Sequence, residues 1–153
     1  MNGDVLVIGI GNAFRRDDGV GLEVAAEITR LHLPGVRVTS GIGEPASMLD
    51  AWTDADLAIV VDAAIDPGGT PGGIRRWTPG EDPRPVVVSS HMFGVAQAYS
   101  LGEALGRLPR RLVVLTVTVA DISHGDTLTT AVASAVPRMV EAVRAELPAR
   151  QSW

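Results

Sequence analysis

A chain of 153 residues, 46% hydrophobic and 4% aromatic, is long enough for one domain with one substantial core of Val, Ala, Leu and Ile. Its net charge of −5, with arginines scattered or paired, argues against nucleic acid as the main partner and mildly favours one carrying positive charge. Zero cysteines exclude disulfides, thiolate metal sites and cysteine nucleophiles. No window reaches the about 18 uninterrupted apolar residues of a membrane span, and no basic region precedes the first apolar stretch, so a cytoplasmic protein without membrane insertion is expected.

The pattern alternates strand and helix along the chain. Val5 to Ile10 is an apolar run closed by glycine, which suits a strand buried on both faces. Val20, Val24, Ala25, Ile28 and Leu31 then recur at helical spacing, up to Pro34-Gly35. Val36 to Thr39 fits a second strand. Pro45 to Trp52 fits a short helix, with proline at the first turn where its missing N–H costs nothing. Leu57 to Val61 is the clearest buried strand, ending on Asp62. The loop "DPGGTPGG" (66–73) leads to Ile74–Trp77, an edge strand or hairpin arm.

Val86–Val88 runs into Ser89, Ser90 and His91, and a helix is expected from about Gly94 to Leu108 with Val95, Ala98, Leu101 and Leu105 inward. Leu112 to Val119 is another β-rich run. A final helix within Leu128 to Leu147 turns Val132, Val136, Val140, Val143 and Leu147 inward, and Pro137 should bend or divide it. Neither repeat nor linker interrupts this order. The expected fold is a single domain over 1–153, a three-layer α/β/α sandwich around a mainly parallel, twisted sheet.

The stretch "VIGIGNAFRRDDGVG" (7–21) raises the question of a nucleotide site. A dinucleotide fingerprint needs three glycines; Gly9 and Gly11 supply two, but the third position falls on Phe14. No acid follows the second strand at Val38–Gly41, and Asp17 and Asp18 would repel a pyrophosphate. Phosphate-loop, serine-elbow and zinc-helix motifs are also absent from the sequence.

Three polar residues share one structural logic. Asp18 follows the first strand, Asp62 the third, and His91 the Val86–Val88 run. Loops at the carboxyl ends of parallel strands form the ligand crevice of an open sheet. Two carboxylates and an imidazole suit a divalent ion such as nickel or zinc, with positions left open for a partner's groups. Ordinary alternatives stand beside this. Asp17 or Asp18 could cap the first helix, Asp62 could start a turn, and His91 could be a hydrogen-bonded structural histidine. His32 fits a surface helix end and His124 a loop.

Read together, "VLVIGIGNAFRRDDGVG", "LAIVVDAA" and "SSHMFGV" resemble the maturation endopeptidases of nickel–iron hydrogenases. "TPGGIRRW" and "LTTAVASAVPRMVEAV" are similar to that family's later hairpin and last helix, so the resemblance spans nearly the whole chain. It implies removal of a C-terminal extension from the hydrogenase large-subunit precursor after nickel insertion. Asp18, Asp62 and His91 would then be both catalytic and nickel-recognising, supported by Asp17, Gly9, Gly11 and Asn12. Nickel would arrive with the substrate, and no tightly held resident cofactor is implied. The chain departs from the pattern at Val119-Ala120, where many relatives carry Gln-Pro, and in "SGIGEPASM". A non-catalytic metal- or precursor-binding chaperone on the same scaffold is the alternative.

Overall fold

The computed structural model describes residues 4–41, 44–79, 87–88 and 90–148, with only the backbone path given for 87–88 and 90–93. Among the described residues six strands form one sheet: β1 (Val5–Gly9), β2 (Val36–Ser40), β3 (Leu57–Ile65), β4 (Ile74–Trp77), β5 (Val87–Val88) and β6 (Arg111–Thr118). The helices among the described residues are α1 (Val20–Leu31), α2 (Pro45–Trp52), α3 (Ser90–Leu105) and α4 (Thr130–Glu146), with a 3-10 turn at Arg16–Gly19. Strand order is β2-β1-β3-β6-β4, with β5 pairing β3 off this path. The β1–β2, β1–β3 and β3–β6 pairs are parallel, while β4–β6 and β3–β5 are antiparallel.

Strand alternation divides the core between two helical layers. Val5, Val7, Ile59, Val61, Val113 and Leu115 pack with the buried stripes of α1 and α4. Leu6, Ile8, Ala58, Val60 and Val114 pack with Met48, Leu49 and Trp52 of α2 and with Val95 and Ala98 of α3. This is the expected three-layer α/β/α architecture. Strands buried on both faces must be apolar at every position, which is why they read as continuous runs.

Several boundaries differ from the sequence expectation. The third strand does not end on Asp62. It continues to Ile65, because β6 pairs with it as far as Ala64↔Thr118 and β5 pairs with it at Ala64 and Ile65. Asp62 therefore sits inside a strand, opposite Thr116, and does not start a turn. Helix α3 begins at Ser90, so His91 lies in its first turn.

The inward face of α3 also differs. Leu101 and Leu105 are exposed, and the buried stripe runs through Val95, Ala98 and Gly102. A Cβ at Gly102 would press on Leu49 and Leu108, so the chain passes closest to its neighbours where it has no side chain to count. Leu31, at the last turn of α1, is exposed as well. Pro137 lies within α4, which remains one helix over 130–146. Val132, Val140 and Val143 are buried there, with Val136 and Leu147 packed against the core.

Candidate functional site

The chain leaves β1 toward β2 on one side and leaves β3 toward β4, beyond β6, on the other, so the connections diverge between these two neighbours. Such a switch point opens a crevice at the carboxyl ends of the strands. β1 pairs with β3 only as far as Gly9↔Val61, whereas β5 joins β3 at Ala64 and Ile65. Since β6 occupies the other edge of β3 through Ala64, β5 lies on the β1 side. Asp62 falls in the interval between them. It continues the Ala58–Val60 alternation and so belongs to the α2/α3 face, where α3 begins two residues after β5.

The β1–α1 turn needs close backbone approach at its base. A Cβ at Gly9 would collide with the Gly21 carbonyl, and one at Gly21 with the carbonyls of Ile10 and Val61. Close helix–strand packing, the task of the third glycine in a dinucleotide fingerprint, is done here by Gly21 rather than at position 14. A Cβ at Gly11 would collide with the Asp18 carbonyl, so the turn folds directly over the acidic pair.

The adjacent acids have different surroundings. Asp17 is fully buried and accepts backbone N–H groups from Ala120 at 2.9 Å, Asp121 at 3.0 Å and Thr129 at 2.7 Å. The Thr129 hydroxyl donates to it as well, 2.8 Å from Oδ2 and 3.1 Å from Oδ1. These donors bear on both oxygens, and all come from the loop between β6 and α4. Asp17 therefore braces that loop and caps no helix. A proline at position 120 would have no N–H to give it.

Asp18, also buried, accepts the Asn12 N–H at 3.0 Å on Oδ2. The Asn12 side chain in turn accepts the Phe14 N–H at 2.9 Å. Asp62 is fully buried, and its Oδ1 accepts the Ala63 N–H at 2.7 Å. Neither aspartate caps α1, whose N-cap is Gly19 and has no side-chain cap bond.

More bonds fasten the brace. The Arg16 N–H donates to the Gly125 carbonyl and the Gly125 N–H to the Phe14 carbonyl, both at 2.9 Å. The Arg16 guanidinium donates to Asp121 at 2.7 Å and to the Thr127 carbonyl at 3.1 Å. Arg16 takes a left-handed φ of 45°, a conformation unfavourable for a residue with a side chain and maintained here by these contacts. Hydrogen bonds from Ser123, with the Arg16 charge added, hold the Asp121 carboxyl below the usual carboxylate range. Arg16, Asp121 and Thr129 were not anticipated from the sequence. Thr129 is the N-cap residue of α4, but its hydroxyl makes no cap bond and serves Asp17 instead.

His91 is placed by backbone alone, in the first turn of α3. Among the described residues, which exclude its side chain, no group of three His, Asp or Glu is arranged to hold a metal. His32 and His124 are exposed, as expected. Asp66, four residues beyond Asp62, is paired with Arg75 at 3.0 Å and accepts the Gly68 N–H in a turn.

These features define the class first: a doubly wound α/β protein with buried acids at its switch point. The chain also matches the family model described as "Hydrogenase maturation protease" over residues 22–146, and it belongs to that family. The HupD hydrogenase expression/formation protein of Bradyrhizobium diazoefficiens is 32% identical over 72% of this chain and 60% of its own length. Against HupD of Thiocapsa roseopersicina the chain is 29% identical, and it spans 53% of that protein. A putative hydrogenase maturation protease of Methanocaldococcus jannaschii is 30% identical over 94% of this chain and 96% of its own. In structure, the hydrogenase maturating endopeptidase HybD from E. coli aligns with a TM-score of 0.82 at 23% identity, covering 92% of this chain and 90% of the other. That likeness concerns the fold. No helix among the described residues is long and apolar enough to cross a membrane.

Proposed function

We propose that this protein is an endopeptidase that removes the C-terminal extension of a nickel-loaded nickel–iron hydrogenase large-subunit precursor. One observation supports the reading: the Asp18 turn follows β1, Asp62 lies on β3 just beyond the end of its pairing with β1, and α3 starts two residues after β5, the strand that pairs with the end of β3, in a chain of this family. Asp18, Asp62 and His91 would recognise the nickel, which belongs to the substrate and reports that loading is complete. Two carboxylates and one imidazole suit that ion, and three protein ligands leave positions for the precursor's own groups. Specificity would then be a difference between two affinities, since an empty precursor offers the acids no cation. The proposed setting is the cytoplasm, with no nucleic acid involved.

The test is incubation of the protein with matched nickel-loaded precursor, followed by mass spectrometry of the large subunit and released peptide. The reading expects both products. Capture of the precursor without peptide release would support the chaperone alternative, and neither capture nor release would overturn both.

A further inference from the structure

Phe14 is 72% exposed, whereas the other exposed large hydrophobic residues among those described lie between 37% and 56%. A single exposed apolar residue is ordinary on a protein surface. What sets this one apart is the rigidity of its support. Its N–H is bound to the Asn12 side chain, and its carbonyl to the Gly125 N–H. The next residue donates through its N–H to the Asn12 carbonyl at 3.2 Å and through its guanidinium to the Ile122 carbonyl at 3.2 Å. Arg16 and Asp17 then fasten the same loop to the 120–129 segment. A loose loop could carry its aromatic ring inward; here the backbone that bears the ring is held, and the side chain is exposed.

The loop is also coupled to the candidate site. The Phe14 N–H bonds the Asn12 side chain, and the Asn12 N–H bonds Asp18. A partner seated on Phe14 would therefore be placed relative to Asp18 through two hydrogen bonds. Rigid aromatic side chains serve well as interface anchors because little side-chain freedom is lost on docking.

We propose that Phe14 is a docking residue, an aromatic anchor at the lip of the crevice that enters an apolar recess on the large-subunit precursor. This rests on the proposed function, because the partner is the same precursor. It adds a division of labour: Phe14 sets affinity for the folded precursor whether or not nickel is present, while Asp18 and Asp62 sense the metal.

The experiment compares wild type, Phe14→Ala, Phe14→Leu and Leu105→Ala. Leu105 is also exposed but lies at the C-terminal end of α3, away from the crevice. Capture of nickel-loaded and nickel-free precursor is measured alongside KM and kcat on the loaded form. Phe14→Ala is expected to weaken capture of both forms and raise KM by about tenfold or more, with a much smaller change in kcat and an unaltered melting temperature. Phe14→Leu should recover most of the loss, and Leu105→Ala should match wild type. An unchanged KM for Phe14→Ala beside an active wild type overturns the docking role alone. Weakened capture of the loaded form only would also overturn it, as would concentration-dependent self-association abolished by Phe14→Ala. A wild type that neither captures nor cleaves the precursor removes the proposed function and this inference together.

Discussion

The two edges of the sheet hold their loops in different ways. At the amino edge the side-chain fastenings are largely exposed ion pairs, with one backbone N–H, that of Asp4, donated to the Asp56 carboxylate at 2.9 Å. Asp4 meets Arg37 through two hydrogen bonds at 2.8 and 3.0 Å, Asp56 lies 3.6 Å from Arg110, and Asp50 is 3.0 Å from Arg107. At the carboxyl edge ion pairs such as Arg16–Asp121 are joined by a fully buried carboxylate, Asp17, gathering three backbone N–H groups from a loop more than 100 residues away. Exposed pairs contribute little and are weakened by salt. A buried carboxylate with backbone donors fixes atoms in place, because any departure leaves buried donors unmet. The edge that carries the candidate chemistry is the edge built for precise placement.

The acids at the carboxyl edge offer the strongest way to break this comparison. Asp62→Asn keeps volume and shape but lowers the charge available to a cation, so cleavage of nickel-loaded precursor should be abolished with the melting profile largely kept. Retained cleavage would remove Asp62 from the proposed site. Asp17→Asn should act on structure instead. An amide can match only some of its donors and turns its own NH2 toward others, costing about 2–4 kcal/mol in unfolding experiments. Amide exchange at Ala120, Asp121 and Thr129 should quicken more than exchange in β3. Uniform acceleration across the fold would argue against a local brace.

The smallest effect belongs to the amino edge. The Arg37 hydrogen bonds hold the Asp4 carboxyl below 3.8, outweighing the opposing effect of burial, with a lesser contribution from the guanidinium charge. The carboxylate's contribution is therefore present above about pH 3.8 and is lost as pH falls through the lower folded value. Asp4→Asn should cost less than about 1 kcal/mol at neutral pH, and less again in high salt. A larger, salt-independent loss would show that the two edges are not as different as described.

Much of the fold was legible because strands buried on both faces are apolar throughout, and because Val and Ala recur at helical spacing in α1 and α4. What escaped was set by partners distant in sequence. Whether a strand stops at Val61 or continues to Ile65 depends on β5 and, more than 50 residues further along, on β6. The inward face of α3 turned on Gly102, which packs closely but contributes nothing to an apolar count. At the site, residue chemistry alone did not separate the adjacent aspartates; the family resemblance put Asp17 in the supporting place, but not its partners. Their roles separate only when Ala120, Asp121 and Thr129 are brought against Asp17, while the Asn12 N–H meets Asp18.

The central claim is that the carboxyl-edge acids read a cation carried by the substrate. Its most direct test is the ratio of cleavage rates for nickel-loaded and nickel-free precursor at equal concentration, using wild-type protein stripped of free metal. The account predicts cleavage of the loaded form and none of the empty one. Equal rates on both would contradict it.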